Sequence, residues 1–388
     1  MYVSREKTKE IIQLLKDFPV VALLGPRQCG KSTLAKRILE DVKNPTVYLD
    51  LERDSDLAKL NQPELYFDAN NDKLICLDEI QRKPDFFPLI RSIVDDQGKN
   101  GQFLILGSAS PELIKQSSES LAGRIAYVEL SVFTMQELDG GSFDLMKYWL
   151  RGGFPKSYLA PSNQSSITWR ENFIRTFLER DIAQFGFNIS VENMRRLWGM
   201  LAHYHGQVIN YSQLANSLQV SHTTVRTYVD ILVQTFMVRL LSPYHNNYGK
   251  RLIKSPRVYL RDSGILTGIL KIDSKDELFS HPVFGASWEG IAIENILSFF
   301  VGHEAFFFRS TAGAEVDLIL ERGNRKILIE CKASKSPKLG KGFYNIKRDL
   351  KPDISWVIAP VDEAFHLEKD IKVGNINDFI KSQNMKKL

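Results

Sequence analysis

The chain has 388 residues, of which 43% are hydrophobic and 25% charged, and its net charge is +5. Those values fit a soluble globular chain of two or three domains, and the mild positive charge permits nucleic-acid binding without arguing for it. No apolar run nears the roughly twenty residues that a membrane span needs, and no internal repeat or low-complexity tract is present.

The start, Met1 to Glu10, is polar and carries no apolar signal core, so a cytoplasmic location is expected. Three cysteines, Cys29, Cys76 and Cys331, form no C-x-x-C pair and read as reduced thiols. The seven histidines do not cluster at metal-ligand spacing.

The first helix is expected near Lys7 to Phe18, with Ile11, Leu14, Leu15 and Phe18 on one face. Val20 to Leu24 reads as a buried strand, and Ser32 to Leu39 as a helix. Between them Gly25, Pro26, Arg27, Gln28, Cys29, Gly30, Lys31 and Ser32 match the Walker A pattern G-x-x-x-x-G-K-[ST], with Thr33 next in line. Glycines let such a loop fold around phosphate, so its N–H groups and the helix N-terminus face negative oxygens. Lys31 is expected to reach the β- and γ-phosphates of ATP, and Ser32 to hold Mg²⁺.

Val47 to Leu51 reads as a further strand. Leu74 to Leu77 reads as a central parallel strand, ending in Asp78 and Glu79. Asp78 is expected at the metal. Glu79 is expected as the general base, or as the group that orients the attacking water. Phe103 to Gly107 is another buried strand, and Ser108 at its end can touch the γ-phosphate or that water. Leu121-Ala122-Gly123-Arg124 precedes a fifth strand, Ile125 to Leu130.

These residues resemble the AAA+ ATPases. The resemblance implies a sensor 1 role for Ser108, where the family more often has Asn or Thr, and an arginine-finger role for Arg124 toward a neighbouring subunit. A structural ion pair is the other reading of Arg124. For sensor 2 the candidates are Arg151 and Arg180.

Gly140-Gly141-Ser142 is the expected domain boundary. A helical region follows, with Arg151-Gly152-Gly153-Phe154-Pro155 and a long stretch from Ser166 to Phe185. Tyr211 to Val229 reads as helix, turn, helix, with Ser221 capping the second helix. Met237–Leu241 and Val258–Leu260 can be two strands of a wing. The whole looks like a winged helix, which serves either DNA contact or packing between domains. For DNA contact the exposed residues would be His222, Thr223, Arg226 and Thr227. The stretch holding Lys250, Arg251, Lys254, Arg257 and Arg261 has no acid and could follow a phosphate backbone.

Near the C-terminus, Glu315–Leu320 and Ile327–Lys332 read as a hairpin with a Gly323-Asn324 turn. Asp317 and Glu330 can lie across from each other, and Lys332 shares a face with Glu330. Two carboxylates and a lysine on one face can hold Mg²⁺ and a water, or they can be a plain surface salt bridge. The pattern resembles the PD-(D/E)XK nucleases, with Glu289 as the helix-borne acid and Glu294 second, although Val316 stands in the proline's place.

In order along the chain, these motifs resemble the prokaryotic AAA-type ATPases with a C-terminal domain of uncharacterised function. That resemblance implies an α/β architecture of three parts: an AAA+ P-loop ATPase domain at 1–139, a helical and winged-helix region at 140–261, and a PD-(D/E)XK nuclease-like domain at 262–388. The expected function is a Mg²⁺-dependent ATPase that acts on DNA or on a protein partner, with a homo-oligomer as the form that an arginine finger in trans requires. An ATP-regulated nuclease and a nucleotide-switched binding module without turnover are the alternatives.

Overall fold

The computed structural model describes residues 2–108, 121–139, 143–184, 189–244, 254–310 and 313–384. They form two compact units, Met1–Phe133 with Gln234–Phe236, and Thr134–Val233 with Met237–Leu388. The expected division at 261 therefore falls inside the second unit. The expected boundary Gly140-Gly141-Ser142 lies outside the described residues.

The first unit is built on five parallel strands, β1 (Val20–Leu24), β2 (Thr46–Asp50), β3 (Leu74–Asp78), β4 (Phe103–Gly107) and β5 (Ile125–Glu129). Their spatial order is β2-β3-β4-β1-β5. β1, β3 and β4 are buried along their whole length, as apolar runs covered on both faces must be. Successive side chains divide between two cores. Ile75, Leu77, Phe103 and Ile105 pack on one face with Phe67 and Phe87. Leu74, Cys76, Leu104 and Leu106 pack on the other. That second core takes Ile11 and Leu15 from α1 (Lys7–Asp17). It also takes Leu34, Ala35 and Ile38 from α2 (Lys31–Asp41). The spacing of these residues puts them on single helix faces, which is why both helices lie against the sheet.

The second unit joins helices to a nine-stranded sheet. Its strands are β6 (Gln207–Val208), β7 (Val238–Pro243), β8 (Arg257–Leu260), β9 (Glu304–Arg309), β10 (Glu315–Arg322), β11 (Arg325–Cys331), β12 (Ile354–Ile358), β13 (Phe365–Glu368) and β14 (Ile371–Gly374). They run in the order β13-β14-β12-β11-β10-β9-β7-β8-β6. β7 and β8 are antiparallel, and β7 also pairs in parallel with β9 through Ser242 and Pro243. The strands expected as a wing are thus continuous with the C-terminal sheet. The β10–β11 hairpin closes at Arg322 opposite Arg325, with Gly323 at φ +60° as a two-residue turn demands.

The long helical stretch is not uniform. An α-helix, Asn163–Thr176, passes into a π-helical turn at Phe177–Asp181 and then into Ile182–Gln184, while Phe185 lies outside the described residues. Ser162 accepts from the backbone N–H of Ser165, so the helix starts earlier than Ser166.

Candidate nucleotide site and a second acidic cluster

β4 stands between β1 and β3. The loop after β1, the acids at the end of β3 and Ser108 after β4 are thereby brought to one edge of the sheet. At that edge the loop turns through Gln28 at φ 61° and Gly30 at φ 103° before α2 begins at Lys31. Gly25 is pressed against the chain, and a Cβ there would lie 2.2 Å from the Leu130 carbonyl oxygen. Cys29 is buried, with its Sγ donating to that same carbonyl at 3.5 Å. Lys31 is 5% exposed, and its Nζ donates to the carbonyls of Gly25 and Pro26, each at 2.9 Å.

Asp78 is buried at the end of β3, and burial raises its carboxyl above the usual range. Hydrogen bonds from the Ser32 and Tyr48 hydroxyls oppose that rise by favouring the charged form. The Tyr48 hydroxyl itself is pushed up, by burial and then by donating to Asp78. Glu79 sits in the left-handed region at φ 58°, uncommon for a residue with a side chain, and its N–H donates to Asp78 Oδ1 at 2.9 Å. Ser108 Oγ lies 3.1 Å from both Glu79 carboxylate oxygens. Gln81 Nε2 also donates to Glu79.

Ser32 and Asp78 offer a hydroxyl and a carboxylate already in contact, which are the protein oxygens that a P-loop gives to Mg²⁺. The donor set fits that ion, with phosphate oxygens and waters as the other ligands.

Arg124 forms a two-pronged pair with Asp95, one contact being Nη2 to Oδ2 at 3.0 Å, and also donates to the Ala122 carbonyl. Both partners of the pair are exposed. Arg151, a sensor 2 candidate, is buried in the second unit. It donates to Asn163 Oδ1 and to the Ala160 carbonyl of its own unit. Arg180 is exposed in the π-helical turn.

The helices Tyr211–Leu218 and His222–Gln234 bury Leu214, Ala215, Leu218, Val225 and Val229, as their spacing requires. Ser221 Oγ accepts from the Thr224 N–H at 3.0 Å. His222, Thr223, Arg226 and Thr227 are exposed. Arg226 and His222 both rest against the Tyr211 ring. The basic stretch behaves differently from expectation. Arg257 is 1% exposed and faces acids, while Arg261 pairs with Glu294 at 2.8 Å. Neither is free to follow a phosphate backbone. Lys254 is exposed, and Lys250 and Arg251 lie outside the described residues.

The second cluster gathers Glu289 from the helix Phe284–Phe299, Asp317 from β10 and Glu330 from β11. Arg257 from β8 reaches among them. Its Nη1 lies 2.8 Å from Glu289 and 3.3 Å from Asp317, and its Nη2 contacts Glu315. Tyr259 donates to Glu289, the Cys331 N–H donates to Asp317 Oδ2 at 2.9 Å, and Lys332 Nζ is 2.6 Å from Glu330. Burial, then Asp317, pushes the Glu289 carboxyl up to about 8; the same two causes push Glu330 up to about 7. Glu294 belongs to a separate pair of contacts. Burial would raise its pKa, but Arg239 and Arg261 hold it down at about 2.

The chain is similar to known proteins along 95% of its length. Residues 17–139 match the family described as AAA domain, 142–276 a domain of unknown function (DUF8612), and 284–379 another (DUF4143). The protein Rv2008c of Mycobacterium tuberculosis is 40% identical over 367 residues, which cover 95% of this chain and 82% of that one. Mb2031c of Mycobacterium bovis matches with the same values. The chain belongs to the Rv2008c family. Among solved structures, the Walker-type ATPase paby2304 of Pyrococcus abyssi shares the fold. It aligns at TM-score 0.50 and 13% identity, over 69% of this chain and 96% of that one.

The N-terminal unit of this Rv2008c-family member carries the AAA domain, on the P-loop ATPase fold. No helix among the described residues is long and apolar enough to cross a membrane. Sequence reasoning missed Tyr48, Gln81, Tyr259 and Glu315, and gave Arg257 a different role. Tyr48 was legible in principle, since it precedes the acid-bearing Asp50 on the strand that pairs with β3. Arg257 carried a faint signal too. It alternates with Tyr259 on a short strand, so both must share a face.

Proposed function

We propose that this protein hydrolyses ATP at the edge where β1, β3 and β4 end. The reading rests on one observation above others: Lys31, Ser32, Asp78, Glu79 and Ser108 converge there from three separate stretches of chain. Gly25 to Thr33 would wrap the phosphates with backbone N–H groups. Lys31, now donating to loop carbonyls, would turn its charge to the β- and γ-phosphates. Ser32 and Asp78 would hold Mg²⁺, which supplies charge neutralisation on the phosphate oxygens when bound. Glu79 would accept a proton from the attacking water or orient it, and Ser108 would fix the carboxylate between its two oxygens. Arg124 pairs with Asp95 in solvent, so it can exchange that partner for a phosphate on a neighbouring copy; this reading makes the working form a homo-oligomer.

Within the proposal, hydrolysis moves the helical region and the C-terminal sheet together, since both belong to one compact unit. The exposed face of His222, Thr223 and Arg226 favours DNA as the partner, while the inward Arg257 and Arg261 remove the expected basic wing. A protein partner is what remains if duplex DNA neither binds at low salt nor changes turnover.

Lys31→Ala is the first check. Removing the cation assigned to the β- and γ-phosphates should weaken ATP binding by at least tenfold in a fluorescent-nucleotide titration, about 1.4 kcal/mol or more. Unchanged affinity in that variant would mean that nucleotide binds elsewhere or not at all.

A further inference from the structure

The resemblance of the C-terminal strands to metal-dependent nucleases implies a divalent cation among Glu289, Asp317 and Glu330. The side chains do not fit that ion. Among the described residues no group of three or more His, Cys, Asp or Glu is arranged to hold a metal. What lies between the carboxylates is a guanidinium. Arg257 contacts Glu289, Glu315 and Asp317 at once, and the ring of Phe307 covers it at 4.9 Å. Lys332 takes one oxygen of Glu330, while the other, Oε2, is buried without a hydrogen-bond partner.

We propose that Arg257 is the resident cation of this acidic cluster, which is a closed joint between β8 and the C-terminal sheet and does not bind metal or cleave phosphodiesters. The charges account for it. Arg257, Lys332 and, on Glu315, Arg309 bring three positive charges to Glu289, Glu315, Asp317 and Glu330, and burial pushes Glu289 and Glu330 toward their neutral forms. Burial works against the guanidinium's charge, yet Glu289, Tyr259 and Asp317 around it hold its pKa above the ordinary value. Arg257 cannot lose its proton, so the guanidinium keeps its charge among the carboxyls across the stable pH range. Its planar fork bonds several carboxylate oxygens at once, a geometry that a lysine could not reproduce. The joint also explains why β8 continues the C-terminal sheet: β8 delivers Arg257 and Tyr259 from one face onto Glu289. This inference does not depend on ATP hydrolysis.

The test uses the full chain with Asp78→Ala, so that the nucleotide site contributes no metal. Electron paramagnetic resonance with Mn²⁺ alone should detect no bound ion at millimolar metal. In the same background Arg257→Met leaves buried acids facing one another, and its melting temperature should fall by roughly 10 °C. Adding Glu289→Gln removes one of those acids and should recover a clear part of the loss. Should Arg257→Met fail to fold, Arg257→Lys serves instead, with a smaller fall expected, and the Mn²⁺ result still decides. One Mn²⁺ bound with Arg257 in place, and lost in Asp317→Ala, would overturn the proposal. So would an Arg257→Met variant that melts like its parent.

Discussion

Glu79→Gln is expected to lower kcat for ATP hydrolysis by about 10²–10⁴-fold, the contribution typical of a positioned base. Glutamine keeps the size and one acceptor oxygen of the carboxylate but cannot take a proton from water. ATP affinity should stay within about threefold, since the loop and Lys31 are untouched. The environment of Glu79 supports this weight on a single group. Its backbone adopts the left-handed conformation, and Ser108 and Gln81 fix its carboxylate. Strain of this kind persists where the surroundings enforce it. Single-turnover and steady-state phosphate release, beside a binding titration, separate the two effects. Parent-like turnover in the variant would remove Glu79 from the chemistry.

The largest effect on stability is expected at Gly152. It sits at φ 72° and ψ −173°, a conformation essentially reserved for glycine, and it ends the helix Leu145–Arg151. A Cβ there would lie 2.2 Å from Asp262 Oδ1. Asp262 cannot withdraw cheaply. It accepts from the Gly153 N–H at 2.7 Å and caps the helix Ser263–Leu270 through the Ile265 N–H at 2.8 Å. Burial lifts its carboxyl to about 6 in spite of those bonds, so displacing it would strand a buried acid. Gly152→Ala should therefore cost about 4 kcal/mol, combining backbone strain with the loss of the cap. Urea unfolding of the second unit measures it. Gly199→Ala is the matched control, because nothing lies within 4 Å of a Cβ there and the site is helical. It should be neutral or stabilising by up to about 1 kcal/mol. Equal behaviour of the two variants would contradict this account of the Arg151-Gly152-Gly153-Phe154-Pro155 segment.

How much of this was legible depends on whether the signal was local. The loop from Gly25 to Ser32 is contiguous, and its chemistry needs residues at fixed spacing, so the sequence displays it whole. β1, β3 and β4 were equally open, because strands covered on both faces must be continuous apolar runs. The helix–turn–helix and the β10–β11 turn followed from periodicity and from Gly323. Arg257 was misread because a run of cations without acids looks solvated. Its acids come from Glu289, Glu315 and Asp317, between 32 and 60 positions later, and only the packing of a helix on the sheet brings them together. Tyr48 and Gln81 were missed for the same reason, being defined by pairing across strands and turns. The division at 261 did not foresee β7 pairing with β9, a contact that no local pattern encodes.

The most direct test of the central claim is phosphate release from ATP by the purified full chain, with Mg²⁺ and with EDTA, beside Lys31→Ala. The account predicts turnover that requires Mg²⁺ and falls to background in the variant. Turnover that survives both EDTA and Lys31→Ala, or nucleotide binding with no turnover under any condition, would contradict it.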